Sequence, residues 1–376
     1  MASGLTTRTA MYSRRSFLTA AALAAGAVAL TGEAPVPSSS ERIDALVAQA
    51  RRELPIRAIS VVAARDGTAL IDRGYGFADG EKMVPASSAT PYPVGSVTKS
   101  FTAAAILALR DTGKIDLDAP VARYVAEAPA GSRITVRMLL EQRSGLVDIF
   151  GDYAWEQRMQ HATAEQMIAS VTDSPLRFTP GSQFGYSNTN YLLLGMALER
   201  VAKEPLFTVL KRLVLDPARL RETYLVGDRG VNHAIGYQRF TDPGGAPIAI
   251  PNSARKYWGA GALVSTARDL ALWDAALLNG RVLGAASVRE MMDPVSPLPG
   301  GAHYAMGWFV DDLGGVARVR HGGNVPGFSS ANDLFPRKKI TLSVLSNLSS
   351  IQMDRLADRI GAVLLDVPLA DGKIFA

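Results

Sequence analysis

Apolar positions recur along this chain with two distinct periods, and the points where the period changes mark out its elements. Over residues 41–54 they fall at helical spacing within a charged stretch, which predicts an amphipathic helix. Residues 56–64 and 68–75 are instead β-branched or alternating runs. The Arg65-Asp66-Gly67 turn between them supplies glycine where a positive φ is wanted, so the pair reads as a hairpin. Helical spacing resumes over 97–112, with Gly113 as its stop. From about 115 to 250 the patterns are helical, as at 163–171 and 191–201, and are joined by long connections containing proline and glycine. A helix at 266–278 precedes four strands at 306–312, 316–320, 328–335 and 340–347, and an amphipathic helix at 351–365 follows them.

Strands at both ends with helices between predict an α/β fold: an antiparallel sheet built from both chain ends and flanked by helices, with an inserted all-helical lobe. The sheet lobe takes about 41–100 and 251–376, and the helical lobe about 101–250. The length of 376 residues fits two lobes sharing a cleft, because single cores stop growing near roughly 250 to 300 residues. A content of 48% hydrophobic and 20% charged residues suits a folded enzyme. No internal repeat is evident.

The first 34 residues read differently. Ser13-Arg14-Arg15-Ser16-Phe17-Leu18 leads into a small apolar run at 19–30, with small-residue cleavage sites at Ala27-Val28-Ala29 and Gly32-Glu33-Ala34. This resembles a twin-arginine export signal and implies a periplasmic or secreted protein, with residues 35–40 as a linker. The run is shorter than the roughly 20 residues a spanning helix needs, and no other stretch is long and apolar enough, so no stable membrane span is expected after processing.

Charge and cysteine content narrow the chemistry. The formal charge is +5, and the arginines and glutamate of residues 1–34 supply +2 of it. What remains is too little to imply nucleic acid. With no cysteine, thiol nucleophiles, disulfides and cysteine-bound zinc are excluded. His161, His233 and His303 have no metal-ligand spacing, and no cofactor is implied.

Three segments carry the chemistry that is left. Ser96-Val97-Thr98-Lys99 opens a predicted helix, where positions three apart share a face. The Lys99 ammonium then stands beside the Ser96 hydroxyl, and a partly buried lysine can act as base or hold the proton network. Tyr186-Ser187-Asn188 precedes another helix. A phenol next to an ammonium is stabilised as phenolate and becomes a competent base, while the Asn188 amide can bond both the lysine and a substrate carbonyl. His321-Gly322-Gly323-Asn324 lies on the strand side. Its glycines would let a substrate backbone approach, and the Asn324 amide could join that of Ser96 as an oxyanion hole. Phe328 stands where a phosphate loop would need lysine, and the segment around Ser187 lacks the last glycine of a nucleophile elbow.

The ordered set Ser96-x-x-Lys99, Tyr186-x-Asn188, His321-x-Gly323 resembles the three active-site motifs of the penicillin-binding-protein and β-lactamase superfamily, which includes class C β-lactamases, D,D-carboxypeptidases and esterases. Residues 139–146, 259–269 and 304–308 resemble it too. The resemblance implies catalysis by Ser96, Lys99 and Tyr186, with Asn188, His321, Gly323 and Asn324 binding a small ester, amide or peptide substrate. Two departures stand out: Gln142 replaces a usual histidine, as loop support, and His321 replaces the lysine of the lactamase motif. The second favours an esterase or D-amino-acid amidase/peptidase over a β-lactamase or D,D-carboxypeptidase, unless Arg143, Arg255 or Lys256 supplies the missing charge. A non-catalytic cell-wall or peptide-binding module is the competing class. Phe150, Tyr153, Trp155, Tyr257 and Trp258 are candidate pocket aromatics, and Thr266-x-x-Asp269 reads as a capping box rather than a nucleophile.

Overall fold

The β-branched runs from the two ends of the chain pair with each other. Strand β1 (Ala58–Arg65) sends Ile59, Val61 and Ala63 into one core cluster and Ala58 and Val62 into the other, so alternation covers both of its faces. It pairs with β2 (Thr68–Asp79) across a turn in which Asp66 and Gly67 both take positive φ, 50° and 80°, as a two-residue hairpin turn of this hand requires. On its other edge β1 pairs with β14 (Ile340–Ser346), Ile59 facing Ser346. The sheet continues from there. Its nine antiparallel strands run β3 (Val84–Pro85), β2, β1, β14, β13 (Phe328–Phe335), β12 (Val316–Val325), β11 (Phe309–Leu313), β10 (His303–Tyr304) and β9 (Ser296–Pro297). The computed structural model describes residues 37–150, 162–229, 233–238, 247–250, 254–368 and 372–375.

Helices cover both faces of this sheet. On one, α1 (Ser39–Glu53) and the last helix, α7 (Met353–Leu365), pack Ile43, Val47, Leu356 and Ile360 against Ile59, Val61, Leu342 and Val344. On the other lie α2 (Thr98–Asp111) and α6 (Ala267–Leu278), joined where Phe101 stacks on Trp273 at 4.3 Å. Between these two in sequence come α3 (Val136–Leu140), α4 (Ala164–Ala169) and α5 (Asn188–Ala202), whose buried Leu192, Leu193 and Leu194 belong to the same core as Phe101. Each such side chain stabilises the fold by about 1.5–3 kcal/mol. Among the described residues no helix is long and apolar enough to cross a membrane.

Several details depart from the sequence pattern. The inserted segment is not all helical: β5 (Tyr224–Leu225) joins β4 (Tyr92–Pro93) and β8 (Leu263–Ser265) in a small second sheet, and β6 (Gly236–Gln238) pairs with β7 (Ile248–Ile250). These strands are two or three residues long, too short to show a period. Helix α1 starts inside the expected linker, because Ser38 and Glu41 cap it reciprocally. Only half of the box at Thr266 forms: its hydroxyl accepts from the Asp269 N–H, but the Asp269 carboxylate accepts from Glu222 N–H and Thr223 Oγ1 instead. The export segment at 1–34, Tyr153, Trp155, His161 and the side chains of Arg255 and Lys256 lie outside the described residues.

Candidate active site

Ser96 sits in a single 3-10 turn, Gly95–Val97, that leads directly into α2. Gly95 makes this turn possible. Its φ is +54°, a conformation strained for any side chain, and a Cβ there would lie a tight 3.0 Å from the Asn324 nitrogen where the turn meets β12. Val94 N–H donates to Leu263 O at 2.9 Å, Ser330 Oγ to Val94 O at 2.9 Å, and Leu263 N–H to Thr98 Oγ1 at 3.2 Å. The nucleophile's position is therefore set by two sheets at once.

The i,i+3 spacing brings Lys99 to Ser96 as expected, with Nζ 2.9 Å from Oγ. Nζ has two further partners, Asn188 Oδ1 at 2.7 Å and Ala260 O at 2.8 Å, and the side chain is fully buried. Both are acceptor-only. A neutral amine has two N–H groups and one lone pair, so once these oxygens hold its hydrogens the lone pair faces Ser96 Oγ. Burial makes that neutral state accessible, drawing the Lys99 pKa from 10.5 down to about 7 against the opposing pull of Asp148.

Tyr186 donates its hydroxyl to Ser96 Oγ at 3.0 Å. It is not a phenolate. Lys99 Nζ lies over the ring, 5.0 Å from its centroid, rather than at its oxygen. Burial, with Tyr304 adding to it, pushes the Tyr186 pKa well above 10. The expectation that the ammonium would stabilise a phenolate base is corrected here, because desolvation outweighs it.

The third side of the site is the free end of β12. Strand β11 stops pairing where Phe309 faces Arg320, leaving the 321–325 edge open. Pro326 and Gly327 form a two-residue turn, which makes Val325 and Phe328 a hydrogen-bonded pair. By alternation the Asn324 N–H then points off that edge, toward the Ser96 turn. The Asn324 side chain faces elsewhere and accepts from Ser350 N–H at 3.1 Å. His321 is buried, with Nδ1 2.6 Å from Gly322 O and Nε2 3.5 Å from the Tyr304 hydroxyl. A carbonyl can only accept, so Nδ1 carries the proton. Burial first, and then the nearby Lys99, push the imidazole's pKa down to about 3. This side chain is neutral.

The chain matches the Beta-lactamase family over residues 43–365. It belongs to that family, and it is a serine hydrolase. Protein flp of Staphylococcus aureus (strain N315) is 26% identical over 341 residues, covering 87% of this chain and 67% of the relative. An octameric penicillin-binding protein homologue from Pyrococcus abyssi superposes with a TM-score of 0.80 at 27% identity, over 87% of this chain and 78% of that one. A D-stereospecific amidohydrolase from Streptomyces sp. gives 0.72 at 27% identity, over 83% and 95%.

Two residues of this Beta-lactamase family site have neighbours other than those expected. A Cβ on Gly323 would fall 2.0 Å from Val94 O and 2.5 Å from Ser330 Oγ, so Gly323 admits the turn carrying the nucleophile rather than a substrate backbone. The Asn188 amide is used at both ends, Oδ1 accepting from Lys99 and Nδ2 donating to both Asp148 oxygens at 3.2 and 3.1 Å. Gln142 supports the Tyr186 loop as anticipated: its Oε1 accepts from Ser187 N–H at 3.0 Å and from Asn190 Nδ2 at 2.5 Å. Arg143 is occupied by Glu141 and the Gly181 carbonyl. Sequence reasoning missed Phe309, which packs 5.2 Å from His321 and stacks at 6.3 Å on Tyr186, and Phe184, 5.7 Å from Tyr304. Of the aromatics singled out from sequence, Phe150 meets Tyr257 edge-on at 4.6 Å, and Trp258 holds a φ of 44° beside the Gly259-Ala260 turn whose carbonyl meets Lys99.

Proposed function

We propose that this serine hydrolase cleaves esters or amides that carry no carboxylate through an acyl-enzyme on Ser96, with an esterase or D-amino-acid amidase/peptidase profile rather than that of a β-lactamase or D,D-carboxypeptidase. Lys99, as the neutral amine, takes the Ser96 proton while Oγ attacks the carbonyl carbon. The Ser96 and Asn324 N–H groups donate to the oxyanion that forms. The Lys99 ammonium gives that proton to the leaving oxygen or nitrogen while the Tyr186 hydroxyl donates to Ser96 Oγ, and water then attacks the acyl-enzyme, its proton passing by way of Lys99 to Ser96 Oγ as the acid leaves.

The observation that carries the substrate choice is the state of His321: buried, neutral and packed against Phe309. A neutral imidazole offers a substrate carboxylate no charge, and a charged hydrogen bond contributes roughly 1.5–3 kcal/mol. The similarity to the Streptomyces amidohydrolase supports the amide side of this reading. A panel of a short-chain aryl ester, a D-amino-acid amide, a D-alanyl-D-alanine peptide and a chromogenic cephalosporin tests it. The first two are expected to exceed the carboxylate-bearing pair in kcat/KM by about one to two orders of magnitude. A cephalosporin turned over faster than the aryl ester, with no further gain in His321→Lys, would overturn the assignment.

We also propose that residues 1–34 direct twin-arginine export to the periplasm or exterior, on the strength of Arg14-Arg15 ahead of the apolar run. Arg14→Lys with Arg15→Lys is expected to leave precursor in the cytoplasm. Normal export of that double variant refutes the idea.

A further inference from the structure

The loop after α3 places a carboxylate one amide away from the lysine, and no motif accounts for it. Asp148 Oδ1 accepts from the backbone N–H of Asn188 at 3.1 Å and from that of Phe150 at 3.2 Å. Both of its oxygens accept from Asn188 Nδ2, and Asn188 Oδ1 in turn accepts from Lys99 Nζ. We infer that Asp148 is a positioning residue for the proton transfer: it fixes which end of the Asn188 carboxamide faces Lys99.

The geometry leaves one orientation of Asn188. A carboxylate can only accept, so the NH2 end must face Asp148 and the oxygen must face Lys99. Turned round, the amide would set its oxygen against the Asp148 oxygens and its NH2 against the amine. The orientation has a chemical consequence, because Asn188 Oδ1 and Ala260 O together take up both N–H groups of neutral Lys99 and leave its lone pair for Ser96. Electrostatically Asp148 acts in the opposite sense to burial. Burial favours the amine and Asp148 favours the ammonium, and the balance lies at about 7. Among the described residues, the other titratable groups facing Lys99 are Tyr186, Tyr191 and His321. Tyr186 and Tyr191 are held protonated by burial and His321 is neutral, so none of them supplies a countercharge.

The inference rests on the serine-hydrolase reading of the site. The experiment follows kcat/KM for an aryl ester against pH in wild type, Asp148→Asn and Asp148→Glu, with kcat and KM resolved at the plateau. Removing the negative charge makes the ammonium less favourable, so the acid limb, near pH 7 in wild type, is expected to fall by on the order of 1 pH unit in Asp148→Asn. Because the new NH2 can turn Asn188, kcat is expected to drop by about tenfold or more with KM little changed. Asp148→Glu, which keeps the charge, is expected to keep the wild-type limb. Should Asp148→Asn not fold, Asp148→Ser removes the charge while retaining a short acceptor for the Asn188 N–H, and carries the same comparison. An acid limb unmoved in the charge-removing variant, with Ser96 still labelled by an acyl-site reagent, overturns the role of Asp148 and leaves the serine-hydrolase reading intact.

Discussion

Replacing Ser96 by alanine is expected to lower kcat by on the order of a thousandfold or more, with the folded state unchanged. The size follows from where the hydroxyl stands. Ser96 Oγ is the meeting point of Lys99 Nζ at 2.9 Å and Tyr186 Oη at 3.0 Å, and the Asn324 N–H faces its turn. Without Oγ the base and the phenol have no group to act on, and only binding and the oxyanion donors remain. Little structural cost should accompany the loss, since the turn is fixed by Val94, Thr98 and Ser330 rather than by the Ser96 side chain. Turnover of an ester is the readout, and a thermal melt checks the fold. Undiminished activity in the alanine variant contradicts the assignment.

Lys99→Met is expected to be nearly as damaging, by about three orders of magnitude in kcat. Methionine approximates the length of the buried stem, so the substitution removes the amine while keeping most of its packing. Neither titratable neighbour described beside it can take over. Tyr186 is held protonated by burial, and His321, whose pKa is near 3, is too weak a base and has no contact with Ser96 among its hydrogen bonds. The same argument fixes the pH dependence of the wild type. The active form of Lys99 is the unprotonated one, so activity rises with pH through about 7 rather than falling. A Lys99→Met variant retaining more than a tenth of wild-type activity would show that another base serves Ser96.

The parts of this site that follow from spacing were legible in the sequence. Ser96 and Lys99 had to share a helix face, and the alternating runs at the two ends of the chain had only each other to complete a sheet, which is why β1 meets β14. What depends on burial was not legible. A basic Lys99 was anticipated, but the protonated state of Tyr186 comes from the buried surroundings that the folded chain creates, and residue identities alone point to the opposite assignment. Gly323 illustrates a second limit. Sequence shows that a side chain is absent, but only packing shows that the Val94 carbonyl fills the space. Asp148 illustrates a third, since an acidic residue in a loop has no periodicity, and its partner Asn188 is 40 residues away. The strands β5, β6 and β7 escaped notice for the related reason that two or three residues cannot establish a period.

The claim on which the rest depends is that Ser96 becomes covalently acylated. Intact-mass measurement after exposure to a fluorophosphonate, followed by peptide mapping, tests it most directly. One adduct per chain is expected, on the peptide carrying Ser96, forming faster as pH rises through about 7 and absent from the alanine variant. An unmodified chain under conditions where ester turnover proceeds, or an adduct on any other residue, would contradict it.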